Sequence, residues 1–559
     1  MNFPRKWKYV AIALLSLAFV LGIYLLYRTY PGSEAVSMRS PNTEASTPVS
    51  LPRFVNNCGT STPGETENPI AAAYGNSAYP WTNEIRWQCV YNIEDFPGNS
   101  LDERFRVARD TASNNGGGVV YFPAGTYRFS ENLELADGVV LRGATPAVTD
   151  AKSSEFRPPT RLEFPKYEPR FSGNGTPNET AFKQILTKDA NRDSKIGLVD
   201  LDIDRAGIKF SGNPKITESR NIVVFGIRSN NVAEPDPNVP DRSFQKPWFR
   251  YSYRFAANID IDARENVLVA NNRVNDSITD NFDQPGYTVK SLDRTEVITY
   301  NDGSKVPFHY GNHYGIIVNR SGRFEPSETP ETAPELFRKG VTIRDNWVYH
   351  TMRVAIHAAG DGLIVRDNVI RDDRNKQWWT DATGLREPRG ANTLENRGID
   401  WSGWNVEVIG NDFEVYRHRL GSTNYLSVDG EGILIQACCG GTTVNGATIR
   451  ANRGNAYIGL YKVGDIRNVA IADNDIEPPA YADTSAVYVV ADTNDRPHSM
   501  ENVRVENNRV GGSITVSAKA GGRNNLVVNN RGDGSGAILR SCHVQLRDNR
   551  GFEEKPCSD

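Results

Sequence analysis

Val341-Thr342-Ile343-Arg344-Asp345-Asn346-Trp347-Val348-Tyr349-His350 is followed, after a turn, by Arg353-Val354-Ala355-Ile356-His357-Ala358-Ala359-Gly360. The pattern then restarts. Leu363-Ile364-Val365-Arg366-Asp367-Asn368-Val369-Ile370 leads, past an insertion, into Arg397-Gly398-Ile399-Asp400-Trp401-Ser402-Gly403. The Asp-Asn pair recurs at a spacing of 22 residues, from Asn346 to Asn368. Each unit reads as three short strands, and none of them can bury an apolar face alone. Stacked units can, so a repeat of this length predicts a solenoid.

Working outward, strands of the first type end at Asn272, Asn346, Asn368, Asn411, Asn452, Asn474, Asn508, Asn530 and Asn549. Asn tolerates the left-handed backbone of a tight bend, and its amide can hydrogen-bond along a column. A structural Asn ladder is therefore expected, with Asp345 and Asp367 as the solvated half of the bend. The second strand type aligns on Ile208, Ile259, Ile316, Ile356, Ile399 and Ile433 as one inward stack. Side chains alternate along a strand, so the next position faces out: Lys209, Asp260, Ile317, His357, Asp400 and Leu434. With coils about 4.8 Å apart, His357 and Asp400 become neighbours, and Asp260 lies two coils before His357. Gly207, Asn258, Gly315, Ala355, Gly398 and Gly432 precede the inward residues and suggest a flat floor. His313 and Arg353 come earlier on the same face, and Asn319 and Gln436 lie beyond it.

The 559-residue chain begins with a basic stretch (Arg5, Lys6, Lys8) and a charge-free run over 9–27. At about 1.5 Å per residue this run can just cross a hydrocarbon core of roughly 30 Å. The basic flank predicts a cytoplasmic tail and a single-pass anchor over 1–28, with the remainder outside the cytoplasm. A cleaved signal peptide is the rival reading. Residues 29–52, rich in Pro, Ser, Thr and Glu, read as a flexible stalk before a solenoid domain over 53–559. A net charge of −4 spread along the chain gives no nucleic-acid footprint. Among six cysteines, Cys58 with Cys89 and Cys542 with Cys557 suit disulfides, and no spacing suits zinc.

Ser100-Leu101-Asp102-Glu103 is a capping box, followed by apolar Phe105, Ala108 and Ala112 on one helical face. Asn114-Asn115-Gly116-Gly117-Gly118 ends that helix, and Val119-Val120-Tyr121-Phe122-Pro123-Ala124-Gly125-Thr126-Tyr127 and Val139-Val140-Leu141-Arg142-Gly143 follow. This helix, Gly run and strand motif resembles the opening of pectate-lyase-like right-handed parallel β-helices, especially the rhamnogalacturonase/epimerase-like group. The resemblance is close over 94–143 and extends to later coils only as a repeat style. It implies an all-β right-handed parallel β-helix with an N-terminal capping helix. It also implies polysaccharide chemistry on the second strand set, following the longest turns.

The longest insertions, 230–256, 275–312, 372–396 and 417–430, map to one corner and carry aromatics, including Trp378 and Trp379. The family's hydrolase motifs, Gly-His-Gly and Arg-Ile-Lys, do not occur, and neither does the Asp-Pro-His of alginate epimerases. What remains is the outward column. We expect His357, Asp400 and Arg353 together as the catalytic group, on the floor of a groove walled by the 275–312 and 372–396 insertions. Substrate contacts are expected from Lys209, Asp260, His313, Asn319, Arg397, Glu431, Gln436, Trp378 and Trp379. β-Elimination on an acidic, uronate-containing glycan needs a base near the C5 proton and a cation against the carboxylate. His357 is the base read here, with Arg353, Arg397 and Lys209 as cations, although a carboxylate beside an imidazole suits an acid better than a base. Glycoside hydrolysis, with Glu431 as the second carboxyl, is the alternative; a non-catalytic glycan-binding or structural surface protein is the third. Asp200, Asp202 and Asp204 on one strand face leave calcium as the only metal suggested.

Overall fold

The structure is a computed structural model. It describes residues 67–166, 183–213, 216–232, 257–275, 289–292, 297–300, 305–307, 314–319, 332, 338–350, 354–372, 378–380, 386–388, 395–415, 418–419, 427–436, 443–477, 485–492 and 497–558. The 9–27 run, the stalk, Cys58, Arg353 and His313 lie outside them. Among the described residues no helix is long and apolar enough to cross a membrane.

The Asp-Asn repeat winds into a parallel solenoid whose successive coils add one strand to each of three ladders. The first ladder runs from Val90–Asn92 to Val544–Arg547 as a 15-stranded sheet that includes Lys339–Arg344 and Ile364–Arg366. The second contains Trp347–His350, Val369–Asp372 and Asp412–Glu414. The third contains Ala206–Phe210, Ala257–Ile261, Tyr314–Val318, Val354–Ala359, Glu395–Ser402 and Ser427–Gln436. The long strand Arg531–Arg540 pairs with both of these ladders and fuses them into one 25-stranded sheet.

The inward stack is as the alternation predicts. Ile208, Ile259, Ile316, Ile356, Ile399 and Ile433 are in direct register from coil to coil, and all are fully buried. Each such side chain removed from water contributes roughly 1.5–3 kcal/mol. The N-terminal end of this core is closed by helix Leu101–Asn114, which buries Phe105, Ala108 and Ala112. Its first turn is capped as expected: Ser100 accepts from Glu103 N at 3.1 Å, and Glu103 accepts in return from Asn99 N at 2.9 Å. Cys542 and Cys557 are disulfide-bonded near the other end.

The Asn ladder is continuous from Asn272 to Asn549. Each Asn side-chain amide donates to the Oδ1 of the next Asn at 2.9–3.0 Å, and that Oδ1 also accepts the preceding Asn's backbone N–H. The second amide proton goes to a carbonyl, as from Asn368 to Ile343. All four side-chain hydrogen-bonding sites are thereby filled in a buried column.

Three expectations need correction. The left-handed backbone belongs not to the ladder Asn but to the residue before it: Asn271, Asp345, Asp367, Ala451, Asp473, Asn507, Asn529 and Asp548 all have φ between 53° and 56°. Asp and Asn bear that conformation with least strain, and the following extended residue can then turn its amide inward. Asp345 is also not simply solvated. It accepts from Lys152 at 3.0 Å, Arg344 at 2.7 Å and Tyr74 at 3.1 Å, tying helix Pro69–Tyr74 and the loop at Lys152 to the middle of the solenoid. Finally, the small residues before the inward Ile do not make an outer floor. A Cβ on Gly315 would lie 2.9 Å from Val348 Cγ1, one on Gly398 would lie 3.4 Å from Val415 Cγ2, and one on Gly432 would strike the Phe413 ring. These positions face the second ladder inside the corner, where close packing excludes a side chain.

The ladder generates a stability prediction. Asn368→Ala strips the acceptor from two Asn346 donors in a buried site, at roughly 1–3 kcal/mol for each unsatisfied group. Asn549→Ala, at the part-buried last rung, should cost much less. Thermal unfolding midpoints of the two variants measure this, and equal losses would show that ladder continuity is not what holds the coils.

Candidate functional site

The third ladder's outward column is in the register read from the sequence: Lys209, Asp260, Ile317, His357, Asp400 and Leu434 are paired in turn. His357 Nδ1 lies 3.1 Å from Asp400 Oδ2, and the same oxygen accepts from Arg397 Nη1 at 3.0 Å. The three side chains are only 18%, 14% and 7% exposed, so this is a sheltered cluster. Tyr314, buried one coil before His357, meets the imidazole edge to face with ring centroids 5.8 Å apart.

The electrostatics follow from this packing. Burial alone would raise the Asp400 carboxyl, but the Arg397 charge and the His357 hydrogen bond outweigh it and bring the pKa down to about 2. Asp400 is thus a carboxylate at any ordinary pH. Because a carboxylate only accepts, His357 bonds to it by donating from Nδ1, and in the neutral ring this places the lone pair on Nε2. Nε2 is buried and has no hydrogen-bond partner among the described residues. A buried polar atom left unmatched costs about 1–3 kcal/mol. Arg397 and His357 share this one carboxylate, and in a neutral ring the contact places the imidazole proton on Nδ1.

The other predicted residues divide. Arg397 is engaged with Asp400, so it is a positioning group and not an open cation for substrate. Asn319 is not a surface contact at all. It is fully buried, and its Oδ1 accepts from Ala263 N at 2.8 Å and Arg338 Nη1 at 2.7 Å. Asp260 is separated from His357 by the fully buried Ile317, and Lys209 is one coil further away. Neither joins the cluster. Glu431 is in register with Arg397, and Gln436 with Tyr461; the side chains of Glu431, Gln436, Trp378 and Trp379 lie outside the described residues, as do His313 and Arg353.

The 230–256, 275–312 and 372–396 insertions each connect a second-ladder strand to the following third-ladder strand. Their described parts are antiparallel ribbons: Val289–Leu292, Val297–Tyr300 and Lys305–Pro307 form one, and Trp378–Thr380 with Arg386–Pro388 another. The suggested calcium face does not form. Asp202 and Asp204 share a strand, but Arg161 lies 3.7 Å from one and 2.7 Å from the other. Asp200 sits at a bend with φ 53° beside Arg142, where burial pushes its carboxyl up to about 7. Among the described residues no three His, Cys, Asp or Glu side chains are grouped to hold a metal.

Asp400 carries a pH prediction. Its folded-state pKa lies below the unfolded value, so its contribution is complete above about pH 4 and is lost as pH falls through about 2. That contribution is on the order of 2 kcal/mol. The gap in unfolding midpoint between the parent and Asp400→Asn should narrow as pH falls from 4 to 2. A gap independent of pH down to 2 would mean the carboxylate is not held this way.

Comparison with known proteins adds the following. Residues 99–239, which is 141 of 559, match the family model described as rhamnogalacturonase A/epimerase, pectate lyase-like. No curated protein matches the chain by sequence. Among solved structures, a Streptococcus pneumoniae surface protein and adhesin aligns at 14% identity and a TM-score of 0.39, over 84% of this chain and 99% of its own. The A-module of an Azotobacter vinelandii mannuronan C-5 epimerase gives 13% and 0.31, covering 83% and 97%. A family 28 exopolygalacturonase from Yersinia enterocolitica gives 10% and 0.35, covering 84% and 78%. Scores at this level carry no argument about what the chain does. The 99–239 match spans the capping helix and the first coils, so this part of the solenoid is similar to the family described as rhamnogalacturonase A/epimerase, pectate lyase-like.

Proposed function

We propose that the protein is a polysaccharide lyase on uronate-containing glycan, with the His357–Asp400 pair as its base. The observation that carries this is the imidazole's geometry, with Nδ1 held by an ionised carboxylate and Nε2 unmatched. In β-elimination, Nε2 takes the C5 proton of a uronate and the C5–H electrons form the C4–C5 double bond. The glycosidic oxygen leaves C4 with its bonding pair and is protonated from solvent. The uronate carboxyl makes the C5 proton acidic enough for imidazole, which is why acidic glycan is the substrate class. The developing negative charge needs a cation; with Arg397 committed to Asp400, this role falls to Arg353, on sequence grounds alone.

Glycoside hydrolysis fits less well. Inverting enzymes separate their carboxyl groups by roughly 6.5–9.5 Å and retaining ones by about 5–5.5 Å. Asp260 and Asp400 are three coils apart in the observed register, about 14 Å at strand spacing. This leaves Glu431, one coil past Asp400 with its side chain outside the described residues, as the second carboxyl of that reading. A hydrolase also needs one carboxyl kept protonated near neutral pH, and Asp400 is driven the opposite way. The third reading, a non-catalytic glycan-binding surface protein, gives the carboxylate-oriented imidazole no role.

Purified protein incubated with acidic polysaccharides should produce the ultraviolet absorbance of an unsaturated uronate end. His357→Ala should reduce that rate by about 10²–10⁴-fold in protein that far-ultraviolet circular dichroism shows to be folded. New reducing ends without the absorbance would establish hydrolysis instead, and full activity in His357→Ala would place the chemistry elsewhere.

A further inference from the structure

Past Asp400, the outward column of the third ladder changes character. The positions in register after Leu434 are Gly459, Tyr488, Thr515 and Leu539, with no charge among them. The strand Tyr457–Val463 supplies two further aromatics. Ile458 and Leu460 are buried in the core, so Tyr457, Gly459 and Tyr461 face the other way. Gly459 has no side chain to separate its neighbours, and the Tyr457 and Tyr461 ring centroids come within 6.4 Å of each other. Tyr488, one coil later at the Gly459 position, meets Tyr461 edge to face at 5.8 Å. Tyr457 is 4% exposed and forms the base, whereas Tyr461 and Tyr488 are half-buried. Further along the same column, Leu539 is one of two exposed large hydrophobic residues among those described.

We infer that Tyr457, Tyr461 and Tyr488 build a carbohydrate subsite around Gly459, which takes the continuation of the glycan chain that the dyad acts on. This rests on the lyase reading for the identity of the chain. Three observations select a glycan as the occupant. The patch lies on the same ladder as His357 and Asp400, with Gly459 two coils and Tyr488 three coils past Asp400, roughly 10 and 14 Å at strand spacing. A chain lying along the solenoid axis over the dyad therefore passes over the tyrosines. Tyr488 also follows the side-chain-free Gly459 in the column and lies against Tyr461, so a ring face stands beside a gap, which suits the apolar C–H face of a pyranose ring. Lastly, tyrosine combines an apolar face with a polar tip, the combination that a ring bearing both C–H faces and hydroxyls requires. A protein partner would call for a larger continuous apolar area than three rings and one leucine.

Affinity electrophoresis through gels containing uronate polysaccharide tests the subsite with turnover removed. The background is the His357→Ala protein. Adding Tyr461→Ala and Tyr488→Ala should weaken retardation several-fold, whereas Tyr461→Phe with Tyr488→Phe, which keeps the rings, should retain most of it. Far-ultraviolet circular dichroism confirms that each protein is folded, and Tyr488→Ala alone is judged by the same criterion if the pair is not. Equal retardation of all these proteins, or none in the His357→Ala background, overturns the subsite. Tyrosine-dependent retardation in a protein whose parent gives no unsaturated product supports the subsite and sinks the lyase reading, so the two failures are distinguishable.

Discussion

Parallel pairing at a fixed coil spacing is the constraint on which the rest of the structure depends. Once the Ile208-to-Ile433 stack is buried, a slip of one residue on any coil would turn an Ile outward, so the register is strongly held. The Asn ladder fixes the same spacing from the bend beside it, because each amide must reach the amides above and below. Two independent requirements, apolar burial and polar satisfaction, thus agree on one arrangement, as expected of a chain that specifies a single fold. His357 and Asp400 are 43 residues apart in sequence and are neighbours only because of this agreement.

Much of this arrangement could be read directly from the sequence. The inward Ile positions, the capping box, the Asn ladder and the His357–Asp400 pairing all follow from periodicity, and periodicity is a property of sequence. The misreadings concern side-chain partners supplied by other coils. Asn319 has the form of an exposed polar residue at a strand end, but Arg338 and the Ala263 amide enclose it from two other segments. The glycines before the inward Ile suggest a floor in one strand's pattern, and only the second-ladder side chains Val348, Val415 and Phe413 explain them. Likewise, which member of an Asp-Asn pair takes the left-handed backbone is decided by which amide must turn inward, and the two residue types tolerate the bend about equally.

The candidate site shows the same division. Alternation was enough to find the dyad, but not the second partner of Asp400. Arg397 was read as a cation for substrate; three residues along its own strand it instead neutralises the carboxylate that orients His357. Arg397 and His357 thus share one buried carboxylate, which orients the imidazole ring. Past Leu434 the same alternation continues through the tyrosines at 457, 461 and 488, so they too are legible in the repeat.

The imidazole tautomer tests the account most directly. Nitrogen-15 shifts of the histidines in isotopically labelled protein, with His357 assigned among the seven by its loss in His357→Gln, report which nitrogen carries the proton. The account predicts that the neutral His357 ring holds its proton on Nδ1, and that Asp400→Asn disturbs this preference. A neutral ring protonated at Nε2 in the parent protein would contradict it, because no lone pair would then be available there to act as a base.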